Sequence, residues 1–72
     1  MEKYYFVYSV DAVTIDGDQE TVGMILDHTE LTDTISDFQA SGAAVSGVFV
    51  TMYDCKGDEI KTRDISRIVA NN

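Results

Sequence analysis

Tyr4, Phe6, Tyr8, Val10 and Ala12 fall on one parity of the chain, and Lys3, Tyr5, Val7, Ser9 and Asp11 fall on the other. A period of two, rich in aromatic and β-branched residues, predicts a strand. The even parity is the better core face, although Tyr5 and Val7 leave the odd one only half polar. Asp16-Gly17 follows, a dipeptide suited to a tight turn that needs positive φ. Alternation then resumes, with Val22, Met24, Leu26 and His28 on one face and Thr21, Gly23, Ile25 and Asp27 on the other. Residues 3–28 therefore read as a β-hairpin, with the Val22 set turned to the core.

The period changes next. Leu31, Ile35 and Phe38 stand at i, i+4 and i+7, which is one helical stripe. Glu30, Asp33 and Asp37 gather on the opposite side. Thr29 or Thr32 is the expected N-cap, since a hydroxyl there accepts from an unpaired backbone N–H. Acids early in the segment suit the positive end of the helix dipole. Gly42 is placed to end the helix in a left-handed conformation. A helix of about three turns is not stable alone in water and must lie on a sheet.

Val45 to Tyr53 predicts a strand apolar on both parities, which suits a central position. Lys56-Gly57 makes a second turn. Ile60 to Arg63 is a charged strand of the kind found at sheet edges. Ile65, Ile68 and Val69 have helical spacing with Asp64 as a cap, but they also fit a bulged strand, the reading preferred here. Ala70-Asn71-Asn72 reads as a frayed end. The sum is one small α+β domain over residues 1–72. It is a ββαββ chain with a four-stranded antiparallel sheet and one helix packed on one face. A small open barrel, or ββαβα if the tail is helical, are the alternatives. One short helix cannot cover both sides of such a sheet. Tyr5, Val7 and Ile25, with Phe49 or Val50, are expected on the far side. That makes a possible homodimer face, unless the sheet curls over itself.

Charge adds a limit on partners. The chain has 13 acids against five lysines and arginines, a net charge of −8. From Tyr4 to Cys55 there is no lysine and no arginine, while Asp11, Asp16, Asp18, Glu20, Asp27, Glu30, Asp33, Asp37 and Asp54 all lie there. A one-signed surface attracts cationic surfaces and repels phosphate backbones. Direct nucleic-acid binding is not expected. The run Tyr4 to Tyr8 is capable of stacking bases, but that mode relies on basic surroundings. Its only support is the cluster Lys56, Lys61, Arg63 and Arg67, which equally reads as an edge strand kept soluble by charge. Anionic membranes are disfavoured for the same reason. No run approaches the ~20 apolar residues that span a bilayer, and no targeting segment is evident. A cytoplasmic protein follows by elimination.

Nothing in the chain predicts a cofactor or a metal. His28 and Cys55 are the only nitrogen or sulfur ligands, too few for structural zinc. Asp16-Gly17-Asp18-Gln19-Glu20 lacks EF-hand spacing and reads as a turn. A lone cysteine excludes an internal disulfide and suits a reducing compartment. Cys55 beside Lys56 falls in a turn, and His28 reads as a partly buried strand-end residue. Catalysis is not expected.

The acids Asp27, Glu30, Asp33 and Asp37 rise along the helix in steps of ~5 Å. They are the expected partner-binding residues, facing a basic protein or protein complex such as a nuclease. In general character the chain resembles inhibitors encoded by bacteriophages and mobile elements, including anti-CRISPR proteins. That resemblance implies masking of a basic, nucleic-acid-binding surface in a host cytoplasm. The alternative is a structural or regulatory homodimer whose acidity only confers solubility.

Overall fold

The computed structural model describes residues 3–67. The elements are β1 (Tyr5–Val13), β2 (Gln19–Ile25), α1 (His28–Ala40), β3 (Ala44–Tyr53) and β4 (Glu59–Asp64). They form one antiparallel sheet in the order β2-β1-β3-β4. The helix packs on one face, over β1, β3 and β2. The fold is thus α+β with ββαββ order. Both hairpins, and the charged edge position of β4, are as the alternation predicts.

The two hairpin turns share one design. In the first, Thr14 N–H donates to Asp18 O at 2.7 Å, Gly17 N–H donates to Thr14 O, and Gly17 has φ 90°. In the second, Asp54 N–H donates to Asp58 O at 3.0 Å, Gly57 N–H donates to Asp54 O, and Gly57 has φ 88°. Each is a three-residue loop closed by a glycine in the left-handed region, where a Cβ would be strained. The side chain at the first position ties each loop down. Thr14 Oγ1 accepts from Asp18 N–H, and Asp54 Oδ1 accepts from Lys56 and Asp58 N–H.

The helix ends are both capped. Asp27, not Thr29 or Thr32, is the N-cap. Its Oδ1 accepts from Glu30 N–H at 2.7 Å. The threonine hydroxyls lie too far into the helix for that role, and Thr32 Oγ1 bonds back to His28 O instead. At the other end Gly42 takes φ 86°, as its position predicts. Gly42 N–H donates to Gln39 O and Ala43 N–H donates to Phe38 O, the paired bonds of a Schellman ending.

The second strand departs from the predicted parity. Tyr8 pairs with Ile25 but Val10 pairs with Val22, so two residues of β2, Gly23 and Met24, oppose Ser9 alone of β1. The extra residue is accommodated at Gly23-Met24, where Met24 has φ 58°. A bulge of this kind flips every side chain beyond it to the other face. Ile25 therefore enters the core and is fully buried, rather than lying on the far side of the sheet. Met24 and Leu26, expected inside, are 72% and 65% exposed, and Val22 is 37% exposed.

The core is small. Val10, Ile25, Leu31, Ile35 and Val48 form it, flanked by Tyr8, Phe38, Val45 and Ile65. It occupies the end of the sheet that the helix covers. Phe6, on the same side but beyond the helix, is 52% exposed. Past β4 the chain turns helical at Ser66–Arg67 rather than continuing as a strand. Asp64 Oδ1 accepts from Ser66 N–H, while Ile65 N–H and Ser66 Oγ bond to both backbone groups of Val48. The expectations for Ile68 and Val69 and for a frayed 70–72 lie outside the described residues.

Candidate functional site

The helix acids form one exposed stripe. At about 100° per residue, Glu30, Asp33 and Asp37 fall within ~60° of arc, and they span ~10 Å of helix axis. All three are exposed, on a side away from Leu31 and Ile35. Among the described residues none of them has an ion-pair partner. Asp27 stands at the head of the stripe, with one carboxylate oxygen committed to the cap. Removing it tests that commitment. Asp27→Ala should cost about 1 kcal/mol of stability, read as a lower chemical-denaturation midpoint at unchanged slope.

Asp37 is the informative member. It lies in the last turn of α1, a turn with no basic residue. The helix C-terminus carries partial negative charge, so a carboxylate there is unfavourable. Glu30 in the first turn stabilises the helix; Asp37 does not. Helix stability thus accounts for one end of the stripe and not for the other.

The bases lie elsewhere. Lys61 pairs with Met52 and Arg63 with Val50 across β3–β4, so both rise from the edge strand on the helix side of the sheet. They flank Phe6, Val50 and Met52 around a shallow depression of about 250 Å³.

The far side of the sheet is a different surface. The odd parity of β1 and its partners in β3 face it: Tyr5 opposite Tyr53, Val7 opposite Thr51, Ser9 opposite Phe49 and Asp11 opposite Gly47. Tyr5 and Val7 thus lie where the alternation places them. Of the two candidates in β3, it is Phe49 that emerges there. Its ring lies across Gly47, where an added Cβ would stand 2.8 Å from it. Met24 takes the place expected of Ile25. It lines, with Tyr5, Val7 and Tyr53, an open depression of about 530 Å³. The only advance signal was Gly23, since a glycine inside a strand marks a bulge.

A groove of about 470 Å³ runs beside the helix, floored by Leu31, Ile35 and Val48 and bordered by His28 and Ser66. His28 is not a buried strand-end residue. It is exposed in the first turn of α1, with its ring edge-on to Tyr8 at 5.7 Å. Two hydroxyls on the same groove are engaged by the backbone: Thr32 donates to His28 O, and Ser66 Oγ accepts from Val48 N–H. Cys55 is an exposed free thiol in the second turn. Ser66, through its side chain first and its backbone N–H second, holds the Asp64 carboxyl below the usual carboxylate range. The stabilisation from that carboxylate is present above the ordinary aspartate pKa and is lost as pH falls through the lowered value.

Among the described residues no cluster of three or more His, Cys, Asp or Glu side chains is arranged to hold a metal ion. No helix among them is long and apolar enough to cross a membrane. Compared with family models, curated proteins and solved structures, the chain matches none.

Proposed function

We propose that this chain is a binding protein that lays the acidic stripe of α1 on a basic, nucleic-acid-binding surface of a larger partner. Carboxylates seated on that surface exclude the phosphates it would otherwise hold, so the result is inhibition. The observation that carries this reading is the placement of Glu30, Asp33 and Asp37. They are exposed, on one side of the helix and without ion-pair partners among the described residues. Asp37 sits where it opposes the helix dipole. A charge maintained against local stability is explained by a cationic partner. The net charge of −8 gives the long-range attraction that steers such an encounter.

The test is competition. A panel of purified basic nucleases and nucleic-acid-binding proteins is loaded with a labelled DNA duplex, and this protein is added. Displacement of the duplex from a panel member supports the proposal. The protein's own affinity for that member should fall by about tenfold or more as salt rises from ~50 to ~200 mM, because exposed charges are screened over a Debye length of ~8–10 Å at the upper concentrations. Binding that ignores salt, or no displacement anywhere in the panel, counts against it.

A further inference from the structure

We infer that the shallow depression beyond the helix, between Phe6 and the cations of β4, docks an acidic peptide segment of a partner protein. That segment carries a large apolar side chain close to two carboxylates. The way β4 sorts its charges points there. Strict alternation would put Glu59, Lys61 and Arg63 on one face. The register shifts between Met52 and Tyr53, so Lys61 stands opposite Met52 while Glu59 stands opposite Tyr53. Tyr53 pairs with Tyr5 and faces away from the helix. Asp64, opposite Phe49, faces away from it too. Both acids of β4 are thus turned to the far side of the sheet, and both of its cations to the helix side.

The cations are free to act on a ligand. Lys61 and Arg63 stand about 7 Å apart along the strand. Both are exposed, and neither has an ion-pair partner among the described residues. The remaining walls of the depression are Phe6, Val50 and Met52, so no acid lines it. Asp54, on the parity of Met52, is engaged by Lys56 and Asp58 N–H, and Asp27 by the helix cap. Phe6 pairs with Met52 and Met52 with Lys61. A ring 52% exposed and an ammonium therefore end one cross-strand row, at backbone positions ~10 Å apart.

Solubility does not account for this arrangement. In a chain of net charge −8, each cation brings the total nearer to zero, which favours association. Protection of an edge strand needs charge, and acids in place of Lys61 and Arg63 would serve it as well.

Size and charge decide the ligand class. The depression holds about 250 Å³, below the ~300–1,000 Å³ of sites that enclose a small molecule. It has room for one apolar side chain against Phe6 and the adaptable Met52 thioether. Nucleic-acid affinity grows with the number of phosphates neutralised, and two cations neutralise few. The net charge of the chain repels a longer phosphate run. Two carboxylates match the two cations, with the Arg63 guanidinium able to hold one of them bidentately. This docking site is separate from the acidic stripe and does not depend on it.

Fluorescence polarisation of the full chain with a labelled peptide is the test. The probe has one phenylalanine with two glutamates on either side, in a serine-glycine frame. It should bind with a Kd of ~1 mM or tighter. Replacing the four glutamates by serine should weaken binding by about tenfold or more, through the lost charge pairs. Replacing the phenylalanine by glycine should do the same, through lost apolar burial. On the protein, Lys61→Glu with Arg63→Glu should abolish binding, and Phe6→Ser should weaken it about tenfold. All three positions are exposed, and circular dichroism should remain that of the folded chain. Glu30→Lys, Asp33→Lys and Asp37→Lys together should not weaken this peptide, so the site and the acidic stripe fail separately. No binding up to about 1 mM overturns the inference. So does a serine peptide that binds equally well, or binding that survives Lys61→Glu with Arg63→Glu. A single-stranded thymidine oligonucleotide that binds more tightly than the glutamate peptide overturns it as well, and assigns the depression to nucleic acid instead.

Discussion

Ile25→Ala is expected to leave most of the molecules unfolded, while Met24→Ala changes stability by only ~0.5 kcal/mol. The contrast between adjacent residues follows from the bulge. Ile25 is fully buried against Val10, Leu31, Ile35 and Val48. Deleting an isoleucine side chain from such a site costs ~2–5 kcal/mol, through lost transfer energy and the cavity left behind. A single core in a chain below ~70–80 residues rarely supplies more than ~3–5 kcal/mol in all. One truncation therefore removes most or all of the available stability. Nothing compensates from a disulfide, since the chain has one cysteine. Thermal and urea melts of the two variants are the measurement. If Ile25→Ala melts like the parent, Ile25 is not in the core and the register of β2 given above is wrong.

That register is also where the chain was least legible from its residues. Strand alternation in β1 and β3, the two turns, the helix stripe and the edge character of β4 can all be read because each depends on neighbours within a few positions. Tyr5 and Val7 lie on the predicted face for that reason. A bulge is set by pairing between strands, and strict period two cannot register it. The alternation through Thr21 to His28 therefore puts Ile25 outside and Met24 inside, the reverse of the fold. The same extrapolation puts His28 at a strand end, whereas the strand ends at Ile25 and the helix begins at His28. The N-cap differs more narrowly. Parity makes Asp27 a strand residue, so the alternation points to Thr29 or Thr32 as the cap instead. The acidic stripe was legible in full, because helical spacing alone sets it. Whether those acids would be neutralised by the chain's own bases was not legible. That depends on β4, which carries Lys61 and Arg63 on the helix side without forming ion pairs to Glu30, Asp33 or Asp37 among the described residues.

Reversing the stripe, with Glu30→Lys, Asp33→Lys and Asp37→Lys together, is expected to weaken binding to the basic partner by about 100-fold or more while the fold persists. Losing one member of a close interfacial charge pair costs ~2–5 kcal/mol when the pair is desolvated. Even ~1 kcal/mol from each of three positions amounts to ~3 kcal/mol, which is about 100-fold in affinity. Repulsion from the new lysines adds to this loss. Stability should barely move, because the three changes oppose one another. Glu30→Lys puts a cation at the positive end of the dipole and costs ~0.3–1 kcal/mol. Asp33→Lys replaces a poor helix former with a good one. Asp37→Lys does the same and also places a cation in a last turn that has none, recovering ~0.3–1 kcal/mol. The single variants separate function from helix stability. Asp37→Lys alone should raise the melting midpoint slightly and still weaken the partner, so the residue gives up stability in exchange for binding. A variant that is more stable and binds unchanged would show that the carboxylate at 37 serves no partner, and the acidic stripe would then be a solvated surface only.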